Sequence, residues 1–191
     1  RVHACDRTFG FEPAVDRPGR GYGGQEEIYE SMAKVKADGM LWLGDNVYFR
    51  EVDWTTKEGL AARYRRDRSH PQLQALLAAM PHYATWDDHD FGPNDSDGTY
   101  PLKDEALKLF TRYWPAVSYG MPETKGVFQQ FPIADAEVFM LDDRYHRSPN
   151  SLKLTPEKVM LGKGQMKWIK HALAASRSTF KLVAVGSQVL N

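Results

Sequence analysis

The stretch Met40-Leu41-Trp42-Leu43-Gly44-Asp45 decides the fold class, because a short apolar run ends abruptly in a glycine and a carboxylate. Four consecutive apolar residues bounded by turn residues are typical of a buried β-strand. Residues 82–86 form a second strand-like run, which ends in the polar cluster Asp87-Asp88-His89-Asp90. Apolar residues at helical spacing lie between the two runs and on both sides of them. Strands that alternate with helices predict an α/β fold.

The same pattern continues outward from these two strands. An antiparallel pair is predicted at 127–131 and 136–141, joined by residues 132–135, and it would make the sheet mixed. Further strands are expected at 2–5 and 180–185, and the stretch from Asp87 to Gly98 is expected to be a loop. The arginine-rich segment 63–68 is expected to be a solvated helix face that includes Asp67. Helices are predicted at 25–38, from Thr56 onward, and at 72–80, 103–113 and 164–176.

Composition excludes several classes of protein. The 191 residues are 42% hydrophobic, with 25 basic and 25 acidic residues, which fits a folded domain and argues against global attraction to nucleic acid or anionic lipid. One cysteine excludes an internal disulfide, and no apolar run approaches the roughly 20 residues of a membrane span. The sequence opens without a methionine and shows no signal peptide, and both natural termini are expected to be missing.

Polar residues follow directly after the predicted strands. Cys5-Asp6, Asp45, Asp87 to Asp90, Asp142-Asp143 and Gly186-Ser187 each stand at such a point. Ligands of open α/β sheets bind outside the carboxyl ends of the strands, where parallel strands bring their tips to one edge. The sequence therefore predicts an active site rich in carboxylates.

Each candidate also has a simpler interpretation. Asp45 alone is more often a turn former than a ligand, and a lone cysteine such as Cys5 is more often a small buried hydrophobe. The cluster from Asp87 to Asp90 favours a metal site over a solvated acidic loop, because its charges repel one another without a cation. An EF-hand is excluded at 88–104 because the required glycine falls on the wrong residue, and no P-loop or nucleophile elbow is present.

Four segments in order resemble motifs of the alkaline phosphatase D (PhoD-like) family of calcineurin-like metallophosphoesterases. They are Leu43-Gly44-Asp45-Asn46-Val47-Tyr48, Trp86-Asp87-Asp88-His89-Asp90, Leu141-Asp142-Asp143-Arg144, and Leu161-Gly162-Lys163-Gly164-Gln165 with Trp168. The resemblance implies an α/β fold built as a mixed-sheet, four-layer αββα sandwich. It also implies that residues 1–191 are a partial PhoD-like catalytic domain, incomplete at the C-terminus.

The resemblance further implies a multinuclear metal site. By position, Cys5 matches a cysteine ligand, Asp45 the carboxylate that bridges two metals, and Tyr48 a phenolate ligand. Asp88 stands where the superfamily has an asparagine ligand, and Asn94 stands near the place of a further amide ligand. His89 matches the histidine that contacts the phosphoryl group, and Arg144 is expected to contact substrate.

The implied activity is metal-dependent hydrolysis of phosphate mono- or diesters. Iron plus calcium is expected, and magnesium, manganese or zinc is compatible with the ligands. The implied partner is a small phosphoester substrate, without specific nucleic-acid binding, and the family implies a periplasmic or secreted protein. A later Gly-Asp-x-His-His-like segment of the family has no counterpart after Asp143. Two alternatives therefore stay open: an inactive fragment, and a calcium-stabilised module that uses the loop from Asp87 to Asp97 for structure only.

Overall fold

The computed structural model describes residues 27–35 and 37–188. Helices and strands alternate along most of this part of the chain, as the sequence predicts. No helix among these residues is long and apolar enough to cross a bilayer. The elements are α1 Glu27–Lys34, β1 Met40–Leu43, α2 Lys57–Arg68, α3 Pro71–Ala79, β2 His82–Thr85, α4 Asp88–Phe91, α5 Lys103–Tyr113, β3 Gln129–Ile133, β4 Ala136–Met140, α6 Lys163–Ala175 and β5 Phe180–Ala184.

The strands form two separate ladders. β1 and β2 are parallel, with Met40 opposite His82 and Leu43 opposite Thr85. β4 is the middle strand of the second ladder, antiparallel to β3 and parallel to β5. The antiparallel pair is thus confirmed, and the second ladder is mixed.

Buried side chains connect the two ladders at their edges. The Thr85 hydroxyl at the end of β2 donates to the carbonyl of Leu141 at 2.7 Å. The Gln129 amide on β3 donates to the carbonyl of Ala84 at 2.9 Å. Both bonds are buried, where a polar group left without a partner costs about 1–3 kcal/mol. They therefore fix the end of β2 against the end of β4.

The helix boundaries follow from local chemistry. Thr56 caps α2 by accepting a hydrogen bond from the Gly59 amide at 3.0 Å, and Pro71 occupies the first turn of α3. α5 has Asp104 and Glu105 in its first turn and Arg112 in its last turn, and these charges complement the helix dipole. These three helices confirm the predictions made from capping and spacing.

The core is dominated by aromatic side chains around β1 and β2. Trp42 on β1 and Trp86, directly after β2, are buried, and Trp86 packs edge-on against Phe91 and Phe110. Trp114 also belongs to this cluster and lies 5.1 Å from Trp42, measured between ring centroids. Trp54 packs against this core, and Trp168 packs against a separate cluster that contains Phe139 and Ile169. The tryptophans thus act as packing residues, as expected.

Two sequence predictions are wrong. The stretch after Trp86 is not all loop, since Asp88–Phe91 form the helical turn α4. The arginine-rich helix α2 is not a solvated face throughout: Arg63 and Asp67 are buried, and the Arg63 Nε atom lies 2.7 Å from Asp53 Oδ2. A charged side chain can be buried when it has an ionic partner, and here the partner is ten residues away in the sequence.

Candidate metal centre

Asp45 leaves β1 through a turn of unusual backbone conformation. Gly44 has a φ of 90° and Asp45 a φ of 52°, so two consecutive residues lie in the left-handed region. A Cβ on residue 44 would come within 2.7 Å of the Asp87 Cβ atom, which requires glycine there. Aspartate is one of the residues that tolerates this conformation. The turn thus brings the loop after β1 against the loop after β2.

The buried carboxylate of Asp90 binds these two loops together. Its Oδ1 atom accepts hydrogen bonds from the backbone amides of Asn46 at 2.8 Å and Val47 at 3.1 Å. Its Oδ2 atom accepts one from the amide of Asp87 at 3.0 Å. Sequence reasoning placed Asp90 in an acidic cluster without a role of its own. Its position at a strand tip was the signal, but two of its three partners, the amides of Asn46 and Val47, lie more than 40 residues away.

Three predicted site residues converge between these loops. One ligand atom from each of Asp45, Asp88 and His89 can be chosen so that all lie within 4.8 Å of one another. Tyr48 joins them: its hydroxyl donates to Asp45 Oδ2 at 2.8 Å, and its ring stacks on His89 with 4.2 Å between centroids. The structure therefore brings together four of the residues that the sequence nominated.

The electrostatics of this cluster favour a bound cation. Burial raises the pKa of Asp45, the Tyr48 hydrogen bond and His89 oppose that rise, and the Asp87 and Asp88 carboxylates add to it. Asp45 Oδ1 and His89 Nδ1 are both buried without a hydrogen-bond partner. Unpartnered carboxylate and imidazole atoms in one cluster suit a divalent cation. The residues present therefore fit the metal that the resemblance implies.

Arg144 lies beside the cluster, and its guanidinium nitrogens donate hydrogen bonds to other groups of the protein. Its Nε atom donates to Asp87 Oδ1 at 2.6 Å, and its Nη2 atom forms an ion pair with the same oxygen and donates to Ser187 Oγ at 2.8 Å. Nη1 donates to the Ser96 carbonyl at 3.1 Å. The side chain is only 6% exposed. Arg144 thus holds the residue before Asp88 rather than presenting an open face to a substrate.

Ser187, which the sequence places at the tip of the last predicted strand without a specific role, completes this contact. Its hydroxyl donates to Asp87 Oδ1 at 2.9 Å, and its amide donates to Asp143 Oδ2 at 3.1 Å. Burial raises the pKa of Asp143 to about 7. We call Asp87, Asp143, Arg144 and Ser187 the arginine clamp, since they join the ends of β2, β4 and β5.

The two remaining predicted ligands are not brought to the cluster by any described contact. Asn94 is exposed, and its amide donates to Asp95 Oδ2 at 2.7 Å. The backbone amide of the next residue, Asp95, donates to Asp88 Oδ2 at 2.6 Å. Asn94 thus lies one residue from a contact with the site. Cys5 lies outside the described residues.

The model of the PhoD-like phosphatase family matches residues 9–190. The chain belongs to the PhoD-like phosphatase family. It is similar to alkaline phosphatase D of Bacillus subtilis (strain 168), with 24% identity over 201 residues that cover 84% of this chain. A solved structure of PhoD superposes with a TM-score of 0.70 at 22% identity and covers 83% of this chain, which shows the shared fold.

This PhoD-like chain spans about a third of the length of these relatives: 34% of the curated protein and 38% of the chain in the solved structure. The family and the mixed α/β fold are therefore shown for the part that the chain represents.

Proposed function

We propose that this chain carries part of the active site of a metal-dependent PhoD-like phosphoesterase that hydrolyses phosphate mono- or diesters. The observation that carries the proposal is the convergence of Asp45, Asp88 and His89, with buried atoms of Asp45 and His89 that have no protein partner. Cys5, Tyr48 and Asn94 complete the proposed ligand set by resemblance to the family.

The metal ions would supply Lewis acidity toward the phosphoryl oxygens and a hydroxide-like nucleophile at neutral pH. The protein's own residues have separate tasks. Asp45 is the central ligand, and the Tyr48 hydroxyl and the Gly44 turn fix its orientation. His89, stacked on Tyr48, stabilises charge on the phosphoryl group or gives a proton to the leaving oxygen. Arg144 holds the loop that carries Asp88 and His89 and does not itself contact the substrate.

We also propose that the two ladders belong to a four-layer αββα sandwich which further polypeptide completes. On β5, Phe180 and Leu182 lie on one face and Val183 on the other, and all three side chains are about half exposed. A strand with apolar residues on both faces is typical of a sheet interior. Export to the periplasm or the medium remains an expectation from the family resemblance, as do iron and calcium as the resident metals.

The test is hydrolysis of p-nitrophenyl phosphate and of bis-p-nitrophenyl phosphate in the presence of calcium, iron or manganese. Asp45→Asn removes a charge from the centre of the ligand cluster and should abolish turnover of both esters. Asp135→Asn makes the same exchange in the exposed turn between β3 and β4 and should leave turnover unchanged. Unchanged turnover in Asp45→Asn would remove Asp45 from the site.

The alternatives predict different results. An inactive fragment would bind metal weakly and gain both affinity and turnover in a longer chain that carries a Gly-Asp-x-His-His-like segment. A calcium-stabilised module would melt at a higher temperature with calcium yet show no turnover in any longer chain. The unpartnered His89 Nδ1 atom favours the enzyme over this module, because calcium sites are built from oxygen ligands.

A further inference from the structure

The zero net charge of the whole chain conceals a strong internal asymmetry. Residues 145–181 contain eight Lys or Arg residues and a single acidic residue, Glu157. The rest of the chain is correspondingly acidic, since the totals are 25 and 25. Charge that is segregated in this way creates a local field even in a neutral protein.

Part of this positive charge forms a continuous stripe on α6. Lys163, Lys167 and Lys170 follow one another at intervals of four and three residues, which places them on one face of the helix, and all three are exposed. The opposite face is buried through Gln165 and Ile169, and the Gln165 amide contacts both backbone groups of Asp142. The lysine stripe therefore points away from the core.

The lysine stripe opposes the stability of its own helix. Lys163 occupies the first residue of α6, where the helix dipole favours an acidic side chain, and the first turn contains no acidic residue. Neighbouring lysines at these intervals repel one another. Among the described residues, none of the three lysines forms an ion pair. Helix stability does not explain the stripe, whereas an anionic partner would offset the repulsion.

Apolar side chains accompany the lysine stripe. Leu154, in the loop that leads into α6, is 94% exposed, and Met166 is exposed on α6 among the lysines. Leu152 and Met160 are exposed in the same loop. None of these side chains is aromatic, and the ring of Trp168 is engaged with Phe128 at 4.8 Å between centroids. Single-stranded nucleic acid is typically bound by aromatic stacking, whereas anionic membranes are bound by basic residues with apolar side chains that enter the interface.

We propose that α6 and the loop before it dock this protein on an anionic phospholipid surface. The lysine stripe lies at the headgroups, and Leu154 and Met166 enter the interface beside it. This docking surface is distinct from the proposed metal centre and does not depend on the proposed function. The docking surface requires a membrane that carries negative charge, because neutral headgroups do not attract the lysines.

The experiment is co-sedimentation of the protein with phosphatidylcholine vesicles, with and without phosphatidylglycerol. Binding is expected only with phosphatidylglycerol and should weaken as salt is added. Each lysine near the surface is worth about fivefold in affinity, so the triple variant Lys163→Gln, Lys167→Gln, Lys170→Gln should bind roughly a hundredfold more weakly. Leu154→Ser should also weaken binding.

The matched control changes three lysines that already have acidic partners. Lys57, Lys108 and Lys125 pair with Glu58, Glu105 and Asp104, and their triple Gln variant has the same net charge as the stripe variant. It should retain most of the vesicle binding. Equal loss in both triple variants, or no binding to the anionic vesicles, would overturn the proposal. Binding of a single-stranded oligonucleotide that is lost with the lysine stripe, without vesicle binding, would assign the surface to nucleic acid instead.

Discussion

Replacement of Arg144 by glutamine tests whether the arginine clamp serves the metal centre or only the fold. The variant removes the ion pair with Asp87 and the bonds to Ser187 and Ser96. The Arg144 and Asp87 side chains are 6% and 16% exposed, so solvent screens the pair little. Loss of one partner of a buried pair costs about 3–5 kcal/mol of unfolding free energy. Because Asp87 precedes Asp88, the variant should also weaken metal binding about 10–100-fold, as expected for residues that orient ligands.

The matched control is Arg63→Gln, which breaks a buried pair, Arg63 with Asp53, that includes none of the residues in the metal cluster. Its side chains are 1% and 10% exposed, so its cost in stability should be similar. Urea unfolding measures the free energy, and isothermal titration with Mn²⁺ measures the dissociation constant. The reasoning is refuted if Arg144→Gln binds Mn²⁺ as the unmodified protein does, or if Arg63→Gln weakens binding equally. Arg144→Lys, which keeps the charge, should bind Mn²⁺ with an affinity between those of Arg144→Gln and the unmodified protein.

Two further changes test the backbone and the buried charges. Burial raises the pKa of Asp67 to about 7, so the folded state holds the proton more tightly and stability should fall as the pH rises from about 4 to 7. Asp67→Asn should reduce this fall by up to about 4 kcal/mol in urea unfolding at pH 8, and the part that remains belongs to other buried carboxylates such as Asp143; an unchanged pH profile would contradict it. Gly44→Ala should cost about 1–3 kcal/mol and weaken Mn²⁺ binding, because it strains a φ of 90° and crowds Asp87. Gly39→Ala should do neither, because its Cβ atom would make only ordinary van der Waals contacts, the nearest at 3.4 Å.

The strands and long helices could be predicted because their signals are local. The apolar run from Met40 to Leu43 ends at glycine, and Thr56 and Pro71 mark helix starts within their own segments. α4 was missed because a helix of four residues, three of them charged or titratable, has no apolar period to reveal it. The burial of Arg63 was missed for a related reason: its charge predicts exposure, and only its tertiary contact with Asp53 permits burial.

The features of the site likewise fall into those that the sequence could predict and those that it could not. The convergence of Asp45 with Asp88 and His89 could be predicted, because each follows a strand and β1 and β2 are parallel neighbours. The contacts of Asp90 with Asn46 and Val47, and of Ser187 with Asp87, could not be predicted, since they connect residues that are 43 to 100 positions apart. Nothing in the local sequence distinguishes an aspartate that accepts backbone hydrogen bonds from one that binds a metal.

Anomalous diffraction from a crystal soaked in Mn²⁺ examines the proposed metal centre most directly. We expect a peak among Asp45, Asp88 and His89, about 2.0–2.6 Å from a carboxylate oxygen of each aspartate, and no peak there in Asp45→Asn crystals. A soaked crystal without density at this cluster, or with manganese only elsewhere on the protein, would contradict the assignment of these residues as metal ligands.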